Sequence, residues 1–137
     1  STGMIVNISS FGTRAHLHSV LYGMSKAGLD KMAADMAVEL HGTGVTTLSL
    51  WPGLVKNEAM QARGLDNFQG FPLANAETPE FIGRVVVALA GDREVNGRSG
   101  STLITAEVAL EYGVSDIEGN QPDSHRAVFG GGPVFGS

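Results

Sequence analysis

Cysteine is absent from the 137 residues, so disulfides and thiolate-ligated metal centres are excluded, and thiol usage says nothing about redox compartment. Basic residues are few: nine Lys and Arg stand against fourteen Asp and Glu, for a net charge of −5, and the nine are scattered. No basic stripe could track a phosphate backbone, which removes nucleic acid from the expected partners. Long apolar runs are missing as well. No stretch approaches the roughly 18 residues that a membrane-spanning helix requires, and Ser1-Thr2-Gly3-Met4 has neither the basic start nor the apolar run of a signal peptide. With 42% apolar residues and the length of one domain, the composition reads as a soluble globular protein with no membrane partner and a cytoplasmic location as the expectation.

What is present is a constellation. Tyr22 and Lys26 stand at i and i+4 in Tyr22-Gly23-Met24-Ser25-Lys26, so on a helix they project from one face a turn apart. Free tyrosine titrates near about 10, too high for ready proton exchange at neutral pH, and an adjacent ammonium favours the phenolate. Tyr22 thereby becomes a candidate acid and Lys26 its electrostatic partner. Upstream runs Ile5-Val6-Asn7-Ile8-Ser9-Ser10, an apolar strand ending in serines. A serine there can donate a hydrogen bond to the same substrate oxygen while charge develops on it, and Ser10 is placed to do so.

These residues resemble the short-chain dehydrogenases/reductases. That family has a strand ending in Asn-x-Ser-Ser, then Tyr-x-x-x-Lys about a dozen residues on, then a strand ending in Pro-Gly. Here the same order reads Asn7-Ile8-Ser9-Ser10, Tyr22 to Lys26, and Leu48-Ser49-Leu50-Trp51-Pro52-Gly53-Leu54-Val55. The Trp-Pro-Gly, the Asp30-Lys31-Met32-Ala33-Ala34-Asp35 continuation and a late Tyr112-Gly113-Val114-Ser115-Asp116 are similar to the branch called dehydrogenase/reductase member 1. The resemblance covers residues 3 to 120 and implies NAD or NADP as cofactor and a small-molecule carbonyl or alcohol as substrate. Ser10, Tyr22 and Lys26 would be catalytic. Tyr22 and Lys26 would also bind cofactor, with Lys26 on the ribose hydroxyls, together with Pro52, Gly53, Val55 and Asn57. The family carries threonine at the last of these positions, so Asn57 is a departure, and an amide that both donates and accepts can take over the contact. Thr105-Ala106-Glu107 departs likewise from a frequent Asp-Gly-Gly.

The pattern places strands over 4–9, 45–51 and 101–104, and helices over 19–41, 79–90 and 105–112. Thr78 before Pro79 and Thr105 are the expected caps of the second and third helices, while Gly42, Gly44 and Gly113 end helices. On the first helix Asp30, Lys31, Asp35 and Glu39 read as a narrow polar stripe. Its broad apolar and small-residue surface suggests a second packing partner, either a subunit copy, which makes a homo-oligomer the expectation, or further elements of a complete domain. Residues 58 to 76, with Met60, Leu65, Phe68, Phe71 and Leu73, suit a lid or an ordinary surface excursion. His16-Leu17-His18 lacks a third ligand and reads as loop, not metal site, with either imidazole within reach of a substrate.

Three strands alternating with three helices, by right-handed crossovers, make an α/β fold, the C-terminal half of a doubly wound parallel-sheet Rossmann fold, over residues 1–115. Residues 116–137, rich in Gly and Pro, read as a flexible or partner-bound tail, and Gly130-Gly131-Gly132 lacks the strand and helix of a phosphate loop. The chain begins at what resembles the family's fifth strand. The Gly-rich turn, the residue that selects NAD or NADP, the Asn-Ala-Gly segment and the helix asparagine have no counterpart here. The expected function is hydride transfer between nicotinamide and a carbonyl or alcohol. The alternatives are a non-catalytic fragment acting through assembly with another chain, and an epimerase using the same Tyr and Lys.

Overall fold

The structure, a computed structural model, describes residues 2–64, 67, 68 and 71–136. In chain order the elements are β1 (Gly3–Ile8), α1 (Val20–Glu39), β2 (Val45–Trp51), α2 (Glu58–Ala62), β3 (Asn67–Phe68), β4 (Phe71–Pro72), α3 (Pro79–Gly91), β5 (Thr102–Ile104) and α4 (Thr105–Tyr112). β1, β2 and β5 form one parallel sheet in that order, with Gly3 opposite Val45, Ile8 opposite Leu50, and Trp51 opposite Ile104. β3 and β4 make a separate short antiparallel pair within the 58–76 excursion, whose Leu65 and Gly70 lie outside the described residues.

Alternation along β2 sets the layers. Leu48 and Leu50 face the side where Phe81, Val85 and Leu89 of α3 and Val108 and Ala109 of α4 complete the main core. Thr47, Ser49 and Trp51 face α1, and their polar atoms are all spoken for: Thr47 Oγ1 donates to the Ala33 carbonyl, Ser49 Oγ and Trp51 Nε1 to Asp30. α1 therefore covers one face of the sheet and α3 with α4 the other. This corrects the expectation of right-handed crossovers throughout. From β1 to β2 and from β2 to β5 the chain steps in the same direction across the sheet, but over opposite faces, so the two crossovers have opposite hands.

Local chemistry differs from the sequence reading at three polar positions. Asp30, read as part of a solvent-facing stripe, is fully buried and accepts from Thr13 in the turn after β1 and from Ser49 and Trp51 of β2. Thr78 stands at the N-cap position of α3, but its hydroxyl does not cap; both its N–H and its Oγ1 donate to buried Asp116, which closes the helix start from a distance. Thr105 is the first helical residue of α4 with Ile104 at the cap, and Thr105 Oγ1 is buried without a hydrogen-bond partner. Ser19 caps α1 by accepting the Tyr22 N–H at 3.1 Å, and Gly113, at φ 66, ends α4 in the left-handed conformation.

The segment from Asp116 onward, whose composition suggests a flexible tail, lies against the body of the chain. Arg14 Nε donates to the Gly130 carbonyl at 2.9 Å, Arg126 grips both oxygens of Glu107, and the Thr102 N–H reaches the Gly136 carbonyl at 2.8 Å. Among the described residues no helix is long and apolar enough to cross a membrane.

Candidate active site

The site grows from the end of β1. Ser9 Oγ donates to the Lys26 carbonyl at 3.0 Å, fastening the strand end to α1. Ser10 accepts the Gly12 N–H at 3.0 Å in a single turn of 3-10 helix, Phe11–Thr13. Glycine is required at 12. A Cβ there would lie 2.6 Å from Tyr22 Cε1 and 3.0 Å from Ser10 Oγ, so the missing side chain is what lets the serine and the tyrosine share one space. The Tyr22 ring is half-buried and meets His18 edge-on at 4.7 Å, while His18 itself holds φ 62, uncommon for a residue with a side chain. The Lys26 ammonium lies 5.5 Å from the Tyr22 ring centroid and donates to the Ile8 carbonyl at 3.3 Å.

Across from these stands the turn after β2. Ser10, Phe11, Leu17, His18 and Tyr22, with Pro52, Gly53 and Leu54, enclose a pocket of about 140 Å³ whose remaining wall is His125 and Phe129 of the tail. The Gly53 N–H donates to Glu77 Oε2 at 2.6 Å, and a Cβ on Gly53 would come within 3.0 Å of that oxygen and 3.4 Å of His125. Glu77 is buried, and the burial pushes its carboxyl up to about 7, aided by the Asp116 carboxylate and opposed by the Gly53 N–H. Its other oxygen, Oε1, has no hydrogen-bond partner. Glu77 also pairs with Val55 in a parallel bridge, its N–H on the Leu54 carbonyl and its carbonyl on the Lys56 N–H, which turns the backbone groups of Val55 to the opposite side. Asn57 Oδ1 accepts the Met60 N–H at 2.9 Å and so caps α2.

Of the residues singled out from sequence, Ser10, Tyr22, Pro52 and Gly53 line the pocket, Lys26 lies one turn beyond Tyr22, and Val55 and Asn57 continue from Gly53 without lining it. His18 lines it and His16 does not. Sequence reasoning missed the parts of Glu77, His125 and Phe129, none of which carries a local signal, and misplaced Asp30. The group that the resemblance implies, a nicotinamide dinucleotide, fits at one end only. The Lys26 ammonium makes a single hydrogen bond among the described residues and the Tyr22 hydroxyl makes none, whereas the Gly53 N–H is taken by Glu77. No Gly-x-x-x-Gly-x-Gly turn for the pyrophosphate occurs in residues 1–137. Among the described residues no three His, Asp or Glu come together as a metal site.

Residues 1–106 match the family described as enoyl-(acyl carrier protein) reductase. The chain is 41% identical to human dehydrogenase/reductase SDR family member 1 over 127 residues, which is 85% of this chain and 40% of that protein. Among solved structures it is similar to an angucycline C-6 ketoreductase with bound NADP (27% identity, TM-score 0.58), covering 74% of this chain and 41% of that one. It is also similar to a 4-hydroxyisoleucine dehydrogenase complexed with NADH (25% identity, TM-score 0.57), covering 74% of this chain and 43% of the other. The chain thus spans about two-fifths of the length of the relatives it matches.

Proposed function

The chain belongs to the short-chain dehydrogenase/reductase family, and we propose that it carries the proton-transfer and substrate half of an NAD(P)-dependent enzyme interconverting a carbonyl compound and an alcohol. The observation that supports this most is the convergence of Ser10 and Tyr22 on one pocket, with Gly12 held bare between them and Lys26 one helical turn away. In the reductive direction Tyr22 gives its hydroxyl proton to the substrate oxygen as the carbonyl carbon is reduced. Ser10, fixed by the Gly12 N–H, donates to that oxygen and holds it against Tyr22. Lys26 sets a positive charge beside the phenol and offers its remaining N–H groups to ribose hydroxyls. Pro52, Gly53, Val55 and Asn57 would carry the nicotinamide end. The bound nicotinamide supplies the hydride in reduction and takes it in oxidation.

The relatives that carry NADP or NADH support a nicotinamide cofactor of either kind for this chain. The test is carbonyl-dependent NAD(P)H oxidation by the full-length protein. Lys26→Met should lower both turnover and cofactor affinity at least about tenfold, because one ammonium serves both; a variant that keeps both would remove Lys26 from the site. Calorimetric titration of NAD(P)H into the full-length protein should show binding, and its absence would overturn the reading.

A further inference from the structure

The tail holds no position that the family pattern assigns, yet it completes the pocket of Ser10 and Tyr22. His125 and Phe129 stand with their ring centroids 5.9 Å apart, and both meet Phe11, Phe129 at 5.2 Å and His125 at 6.3 Å. All three rings line the pocket, so the tail extends the aromatic surface that Phe11 begins. Their position is built in. Arg14, four residues after Ser10, donates to the carbonyls of Gly130 and Gly132, and a Cβ on Gly131, whose φ is 135, would fall 2.9 Å from the guanidinium carbon. Gly130 and Gly131 both hold positive φ, which favours glycine, and at Gly131 a side chain would crowd Arg14. Upstream, Ser124 and Arg126 both donate to Glu107 of α4, fixing the residues on either side of His125.

Ser10 and Tyr22 bring hydroxyls to the lining and His18 and His125 imidazoles, and the other side chains are apolar. Burial holds the His125 imidazole below its ordinary value, against the pull of Asp123, so near neutral pH it presents an uncharged ring.

We infer that His125 and Phe129 are specificity-determining residues that select carbonyl substrates bearing a flat, apolar ring next to the reacting carbon. This rests on the reading of Ser10 and Tyr22 given above. The carbonyl lies at the hydroxyls, and the ring lies against Phe129 and His125.

The test compares acetophenone with butan-2-one in the full-length protein with its reduced cofactor. The wild type should reduce acetophenone with a kcat/KM at least about tenfold the higher, and Phe129→Ala should raise KM for acetophenone about tenfold with kcat nearly unchanged, while KM for butan-2-one moves less than about twofold. Should Phe129→Ala fail to fold, Phe129→Leu keeps apolar volume without the ring and should still raise KM for acetophenone selectively. Phe129→Tyr should restore it. No reduction of acetophenone, no preference for it, or equal changes for both ketones would overturn the inference. Tyr22→Phe in the same assay keeps the two claims apart: if it abolishes reduction of both ketones while Phe129→Ala or Phe129→Leu does not discriminate, the specificity assignment alone fails; if it leaves turnover intact, the proton-transfer reading fails with it.

Discussion

At the scale of single residues, Glu77 is the most testable. Its carboxyl is raised from 4.5 to about 7, first by burial, then by Asp116, with the Gly53 N–H pulling the other way. The folded state therefore keeps a proton that the unfolded chain gives up. Below about 4.5 both states are protonated and nothing is lost; between about 4.5 and 7 the unfolded state ionises alone, so stability falls with rising pH by at most about 3 kcal/mol and then levels off. Urea denaturation of the full-length protein between pH 4.5 and 8 should show that decline, and Glu77→Gln should flatten it; an unchanged slope would mean that Glu77 is ionised throughout. Asp30 shows why such residues are hard to read. Its spacing with Lys31, Asp35 and Glu39 marks a solvated stripe, but its partners Thr13, Ser49 and Trp51 come from segments up to 21 residues away, and helical periodicity carries no trace of them. Tyr22, Lys26 and Ser10 were legible because their chemistry depends on local spacing.

At the scale of elements, the three sheet strands and the three longer helices follow the apolar runs and the Gly and Pro stops, with ends shifted by a residue or two. Short elements escaped. α2 and the β3–β4 pair have no room for a period, and α2 is announced only by Asn57, whose amide oxygen caps it. That cap revises what the departure from the family threonine means. Threonine caps nearly as well as asparagine, so Asn57→Thr should preserve α2 and bind cofactor equally well or more tightly. A tenfold loss of affinity on isothermal titration of the full-length protein would give Asn57 a contact of its own. The handedness of the second crossover was beyond the sequence for a different reason: helical pattern tells which residues are apolar, not which face of the sheet receives them.

At the scale of the whole molecule, two surfaces of the chain stay open. Among the described residues β1 has a strand neighbour on one side only, and Ile5 and Ile8 on it are exposed. On α1, Val20, Leu21, Met24 and Val38 are exposed as well, Leu21 at 75%. An unpaired apolar strand edge beside an uncovered apolar helix face recruits further protein. Residues 1–137 taken alone should therefore associate in solution and bind no NAD(P) measurably; light scattering that finds a monomer of 14.3 kDa would show that these surfaces are tolerated in water. The proposed chemistry turns on one phenol. In the full-length protein, Tyr22→Phe removes the proton donor and nothing else that holds cofactor through the chain's backbone. Single-turnover reduction followed by NAD(P)H absorbance should slow by a factor of about 10³ or more while cofactor affinity stays within roughly threefold. A variant turning over within tenfold of the wild type would contradict the assignment of Tyr22 as the acid, and with it the proposed function.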